Sequence, residues 1–88
     1  MKLTGDTYDI DRSIIDSIER YVKEGIPTGD FLRAVLENNL MESFGRADLR
    51  NRATLFEICA YIYNEIPASC HGSPEKVKAW LEKFRVKI

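Results

Sequence analysis

The sequence predicts an all-α fold: a compact bundle of about four short helices, forming one domain over residues 1–88. Three observations favour this fold. Apolar residues recur at three- and four-residue steps along most of the chain, and Gly and Pro separate these runs. The 88 residues, 44% of them hydrophobic, fit one small core. A core of this size predicts a marginal stability, or one shared with a partner subunit.

The first two helices are delimited by glycine, proline and capping residues. We expect the first over residues 9–24, because Gly25 and the following Pro27 stop a helix. The second is expected to begin with Thr28 or Asp30 as its cap and to end at Gly45. Asparagine is a poor helix former, so a bend or a break is expected where two occur in succession, at residues 38–39. The predicted apolar face comprises Phe31, Leu32, Val35, Leu36, Leu40, Met41 and Phe44.

The third predicted helix starts at the cap Asp48, ends before Pro67 and is expected to be the central one. Its apolar residues cover more than half of the circumference: Leu55, Phe56, Ile58, Cys59, Ile62, Tyr63 and Ile66.

A fourth helix is predicted after the loop at residues 67–73, with Ser73 as N-cap and Pro74 as its first residue. The alternation of apolar and basic residues over 84–88 favours a short extended tail. The aromatic residues Phe31, Phe44, Trp80 and Phe84 are expected to fill the core, or alternatively to anchor a partner.

Charge is divided unevenly between the two halves of the chain. The net charge is −1, with −4 on residues 1–44 and +3 on residues 45–88. An acidic total disfavours general nucleic-acid binding. The basic second half leaves three alternatives open: pairing within the chain, pairing with another copy, or a basic face that binds an anion. Its charges concentrate in residues 46–52 and 76–87.

Several function classes are not expected. No apolar run has the length of a membrane span, and the first residues lack a secretory signal, so a cytoplasmic protein with reduced thiols is predicted. Cys59, Cys70 and His71 lack the paired spacing of a zinc site, so neither a metal nor another cofactor is expected. Cys70 and His71 are sequence neighbours whose side chains diverge, and no phosphate-binding glycine motif occurs. We therefore expect no enzyme activity.

The richest polar segment is the junction after Gly45. Guanidinium groups beside the free N–H groups of a helix start are able to bind an anion, with Arg46 and Arg50 as a clamp. The competing interpretation pairs Arg46 and Arg52 with neighbouring acids, namely Asp48, Glu42 or Glu57, and has them cap helix ends. Tyr63 and Asn64, near the end of the same predicted helix, fit either a ligand contact or a simple structural role. The junction residues concerned are Arg46, Asp48, Arg50, Asn51 and Arg52.

One larger pattern resembles a group of small uncharacterised proteins encoded by bacteriophages and prophages. It covers roughly residues 18–81 and carries the runs GIPTGDFLRAVLEN (25–38), LME (40–42) and GRAD (45–48). Tyr63-Asn64, Pro67, Cys70, Gly72-Ser73 and Trp80 complete it. The positions that match the polar pattern of the group are Arg46, Asp48, Asn51, Tyr63, Asn64, Gly72 and Ser73.

This resemblance implies an accessory protein that acts by stoichiometric binding in a bacterial cytoplasm. The first hypothesis is an inhibitor of a host defence or takeover-target protein, with self-assembly through the same helix face as a variant. The second is an oligomeric sponge for a signalling nucleotide, held by the three arginines while Tyr61 or Tyr63 stacks on a base. The third is a helix-turn-helix DNA binder whose reading helix begins at Asp48.

Overall fold

The computed structural model of the chain describes residues 10–85. Over this range the chain forms six α-helices, one short 3₁₀ helix and no strand, so the all-α prediction is confirmed and the count of four helices is wrong. The helices are α1 (Arg12–Glu24), α2 (Asp30–Leu36), α3 (Leu40–Arg46), α4 (Leu49–Ala53), α5 (Leu55–Glu65) and α6 (Pro74–Arg85), with the 3₁₀ helix at Ala68–Cys70.

Helix α1 ends at Gly25, as predicted. Gly25 has the left-handed φ of 68°, and its N–H donates to the Tyr21 carbonyl at 3.0 Å. A side chain at this glycine would overlap the ring of Phe84, so Gly25 also allows α6 to approach the end of α1. Asp11 precedes the first residue of the helix, and the predicted start at residue 9 lies outside the described residues.

The second predicted helix is divided into two helices, because Asn38 leaves the right-handed helical conformation. This residue has a φ of 64°, which stops α2, and asparagine adopts that conformation more readily than most residues. The next residue, Asn39, caps α3 through its Oδ1, which accepts from the Glu42 N–H at 3.3 Å. Of the two expected alternatives, a bend or a break, the structure has the break, which separates two seven-residue helices.

The predicted ends of this segment are corrected at both sides. The N-cap of α2 is Gly29, and neither Thr28 nor Asp30 occupies that position. At the other side, Gly45 lies inside α3, which continues to Arg46. A glycine ends a helix when it adopts the left-handed conformation, and Gly45 does not.

The third predicted helix is also divided, at Thr54. Asp48 caps α4 as predicted, since its carboxylate accepts from the Asn51 N–H at 2.8 Å. The Thr54 hydroxyl donates to the Arg50 carbonyl, and α5 begins at the next residue. Helix α5 buries Leu55, Ile58, Tyr61 and Ile62 on one side only. Phe56 and Tyr63 are about four-fifths exposed, so the expectation that this apolar circumference would be enclosed at the centre is wrong.

Helix α6 begins as predicted. The Ser73 hydroxyl accepts from the Lys76 N–H at 3.2 Å, and Pro74 is the first helical residue. Phe84 and Arg85 are helical, so an extended tail does not begin at Phe84. The remainder of that predicted tail, residues 86–88, lies outside the described residues.

Buried hydrogen bonds join α1, α2 and α6 around the core. The Tyr21 hydroxyl donates to the Cys70 carbonyl at 2.6 Å, and the Trp80 indole N–H donates to the Tyr21 carbonyl at 3.0 Å. The Gly72 N–H donates to the Leu36 carbonyl at 2.8 Å. These bonds tie the segment between α5 and α6 to the core residues, which are Ile15, Ile18, Tyr21, Leu32, Leu36, Ile58, Tyr61, Ile62, Cys70 and Val77.

Candidate functional site

Helices α3, α4 and α5 carry an unusual number of large apolar side chains in contact with solvent. Their exposed fractions range from 51% at Phe44 to 81% at Met41 and Leu49. Single exposed apolar residues are ordinary, whereas several large ones on consecutive helices make this region a candidate for binding. We call this group the α3–α5 apolar surface; it consists of Leu40, Met41, Phe44, Leu49, Phe56 and Tyr63.

Arg52 of α4 lies against Phe44, one residue of this surface. Its guanidinium carbon lies 5.4 Å from the centre of the Phe44 ring, and its Nε donates to the Phe44 carbonyl at 3.3 Å. Among residues 10–85 it forms no ion pair with a carboxylate. A positive charge that no carboxylate of the described residues pairs with therefore lies over an aromatic side chain of the α3–α5 apolar surface.

The other two arginines of the junction are held by carboxylates in different directions. Arg46 pairs with Glu42 at 2.5 Å and with Asp30, the first residue of α2, at 3.1 Å. Arg50 pairs with Asp11, directly before α1, at 2.5 Å. The acid-pairing interpretation is thus confirmed at Arg46, which pairs with Glu42, and is wrong at Arg52, which forms no ion pair among residues 10–85. Arg50 pairs with an acid that is distant in sequence. An anion clamp formed by Arg46 and Arg50 stays a prediction.

The remaining polar residues of the junction serve the helix start. Asp48 accepts the backbone N–H of Asn51, which satisfies one of the free donors in the first turn of α4. The segment with Arg50, Asn51 and Arg52 is a helix of five residues that stops before Thr54. This short helix takes the place of the long reading helix that the DNA-binding hypothesis assumed.

Tyr63 and Gly72 meet at a second place, a cleft between α2, α5 and the loop before α6. The cleft has a volume of about 200 Å³. Gly72 has a φ of 119°, which favours glycine, and its N–H is engaged by Leu36. The walls of the cleft are Val35, Asn38, Cys59, Ile62, Tyr63, His71 and Gly72.

In the sequence, the cysteine next to His71 is Cys70, but the cysteine that lines the same cleft as His71 is Cys59. Burial raises the pKa of the Cys59 thiol and is also the main cause of the lowered pKa of His71. Burial likewise raises the pKa of Cys70 to about 11. Each shift favours the neutral form, whereas a nucleophilic thiol needs a lowered pKa.

The predicted site residues therefore form two groups. The group at α4 contains Arg46, Asp48, Arg50, Asn51 and Arg52, and the group at the end of α5 contains Tyr63, Asn64, Gly72 and Ser73. Helix α5 has 11 residues, which separates its ends by roughly 16 Å. The exposed Phe56, near the start of that helix, lies between the group at α4 and the exposed Tyr63 of the second group. Ser73 is occupied as the cap of α6.

The exposed residues Met41, Leu49 and Phe56 belong to the candidate surface but were not predicted as site residues. Their apolar character assigned Met41 and Phe56 to helix faces expected to be buried. The one sequence feature that could have indicated their exposure is the break at Asn38. A short helix that follows a break buries less of its apolar face. Tyr61, proposed to stack on a base, is instead buried in the core.

Metal sites and membrane-spanning helices are two further classes of functional feature. Within residues 10–85, no group of three or more His, Cys, Asp or Glu side chains is placed to hold a metal ion. No helix in the same range has the length and apolar character needed to cross a membrane. Compared with known proteins, the chain matches no protein-family model, no curated protein and no solved structure.

Proposed function

We propose that this protein is a non-enzymatic binding module that contacts another protein through the α3–α5 apolar surface. The resemblance to small phage and prophage proteins suggests the setting, in which the partner is a host protein that the module inhibits. The observation that carries the proposal is the exposure of Met41, Leu49, Phe56 and Tyr63, each about four-fifths accessible to solvent. Leaving such side chains in water forfeits the free energy that their burial would release.

The size of the surface agrees with a protein contact. A large aromatic side chain buries roughly 150–250 Å², so the exposed parts of Phe44, Phe56 and Tyr63 present roughly 300–500 Å². Leu40, Met41 and Leu49 enlarge this area further. A standard protein interface buries about 800 Å² on each partner, and aromatic residues supply most of its energy.

The charge pattern indicates the chemistry of the partner. Arg46 and Arg50 are compensated by acids of this chain, while Arg52 has no carboxylate partner among residues 10–85. A partner with an apolar patch bordered by a carboxylate would complement Arg52 and bury the six apolar side chains together. Such a pair of charges adds specificity to a contact whose affinity comes mainly from apolar burial.

The experiment uses capture from bacterial lysate followed by reconstitution with the purified partner. Phe56→Asp should weaken the reconstituted complex by at least about 30-fold, as expected when an anchor contributing about 2 kcal/mol or more is lost. Ile26→Asp is the matched control: Ile26 is 43% exposed but lies between α1 and α2, so binding should change less than about threefold. Circular dichroism checks that both variants fold.

Two results would contradict the proposed function. One is a complex whose dissociation constant is the same for the Phe56→Asp variant and the original chain. The other is a dimer of this chain, measured by analytical ultracentrifugation, that Phe56→Asp dissociates. In that case the surface serves self-assembly and is not available to a host protein.

A further inference from the structure

The structure has a second cleft that shares no residue with the α3–α5 apolar surface. It lies between the connection from α1 to α2 and one face of α6, and its volume is about 420 Å³. Clefts that bind small molecules have volumes of about 300–1,000 Å³. Its walls are formed by Gly25, Pro27 and Arg33 on one side and by Lys78, Leu81, Glu82 and Arg85 on the other.

The positive side chains of this cleft come from two separate elements. Lys78 and Arg85 are seven residues apart on α6 and hence lie on one face, separated by about 10 Å along the helix. Within residues 10–85, neither side chain makes a hydrogen bond or an ion pair. The other basic residue near the C-terminal end of α6, Lys83, is engaged elsewhere, since its ammonium lies 4.2 Å from the centre of the Trp80 ring.

Arg33 faces them from α2. Its Nε donates to Glu37 at 2.8 Å, which leaves its two terminal nitrogens as additional donors. Glu82 is the one carboxylate among the residues that line the cleft, and Glu37 pairs with Arg33, so three cations and two carboxylates leave one net positive charge there. The cleft keeps a positive excess even though the whole chain carries a net charge of −1.

The walls between these charges are apolar. Leu81 lies on α6 between Lys78 and Arg85, and Pro27 forms part of the opposite wall. A ligand that fills the cleft therefore needs an anionic group for the three cations and an apolar body for Leu81 and Pro27. Phosphate suits the cations best, because it carries up to two negative charges and pairs with the planar donor array of arginine.

We propose that this cleft binds a small organic phosphate, with the phosphate between Arg33, Lys78 and Arg85 and the organic part against Leu81 and Pro27. Nucleoside monophosphates and other phosphate esters share this chemistry. The site gives a role to two basic residues of α6, Lys78 and Arg85, that the protein-binding surface does not use. It also places a phosphate site away from the arginines at residues 46–52.

The test is a titration of the folded protein with four probes, followed by amide chemical shifts. Phenyl phosphate and adenosine monophosphate combine a phosphate with an organic body, inorganic phosphate lacks the body, and benzyl alcohol lacks the charge. We expect phenyl phosphate to shift amides at Gly25, Arg33 and Leu81, and to bind at least tenfold more tightly than inorganic phosphate or benzyl alcohol. Tighter binding of adenosine monophosphate than of phenyl phosphate would assign the ligand to the nucleotides.

Matched neutralising variants distinguish specific binding in the cleft from nonspecific electrostatic attraction of anions to the protein. Lys78→Gln and Arg85→Gln should each weaken phenyl phosphate about tenfold, since each removes a hydrogen bond to a charged group. Lys23→Gln removes the same charge from α1 outside the cleft and should leave the affinity unchanged. Equal losses in Lys78→Gln and Lys23→Gln would overturn the proposal. So would an absence of binding by both organic phosphates, or equal affinity for phenyl phosphate and inorganic phosphate.

Discussion

Replacing Gly25 by alanine tests the contact that brings the end of α1 against α6. Gly25 has a φ of 68°, a conformation that costs a residue with a side chain roughly 1–2 kcal/mol. In addition, the new methyl group would overlap the ring of Phe84, and forcing extra atoms into a packed contact costs about 1–3 kcal/mol. Gly25→Ala should therefore lower the free energy of unfolding by about 2–5 kcal/mol.

Gly45 provides the matched control in the same chain. It lies inside α3, and a side chain built there meets no atom within 4 Å. Alanine is the better helix former, so Gly45→Ala should raise the free energy of unfolding by roughly 0.5–1 kcal/mol. The same chemical change is thus expected to have opposite signs at two glycines.

Thermal unfolding followed by circular dichroism measures both effects. For a domain of this size, 1 kcal/mol corresponds to about 4–8 °C. Gly25→Ala should lower the melting temperature by about 8 °C or more, and Gly45→Ala should raise it by about 2–8 °C. A Gly25→Ala variant within about 2 °C of the original chain would refute the close approach of Phe84 to this glycine.

Three further predictions concern single contacts. Tyr21→Phe removes the hydroxyl that donates to the Cys70 carbonyl and should cost about 1–3 kcal/mol in urea denaturation; an unchanged midpoint would contradict this bond. Because burial lowers the pKa of His71 below its ordinary 6.5, the unfolded chain binds the proton first. The contribution of His71 to the free energy of unfolding should thus be fully present above pH 6.5 and decrease as the pH falls below 6.5. His71→Gln should make this dependence of the free energy of unfolding on pH less steep. Arg50→Ala removes the exposed pair with Asp11; it should cost at most about 1 kcal/mol yet accelerate hydrogen exchange in α4, and unchanged exchange would oppose this attachment.

The sequence predicts those features of the fold that depend on neighbouring residues. The stop at Gly25 and the caps at Asp48 and Ser73 each require only a few consecutive residues, and all three occur as expected. At residues 38–39 the sequence left a bend and a break open, because asparagine tolerates both the helical and the left-handed conformation. The break at Thr54 has no glycine or proline to mark it.

Properties of the site that depend on residues distant in sequence cannot be predicted from local sequence patterns. Arg46 pairs with Asp30, 16 residues away, and Arg50 pairs with Asp11, 39 residues away. Periodicity likewise identifies the apolar positions of a helix but not the face that a neighbouring helix will cover. Phe56 was therefore expected inside the protein, whereas Leu55, the preceding residue, is the one that is buried.

The two breaks explain why apolar side chains accumulate on one part of the surface. Helices of seven and five residues, such as α3 and α4, are too short to be stable alone, so caps and side-chain contacts must hold them. Those contacts include the Asp48 cap and the ion pairs of Arg46 and Arg50. Each short helix packs only part of its circumference against the core, which leaves its remaining apolar residues exposed. The arginines predicted to contact a ligand thus help to hold the backbone that presents the α3–α5 apolar surface, and Arg52, stacked on Phe44, is the one arginine of the three placed within that surface.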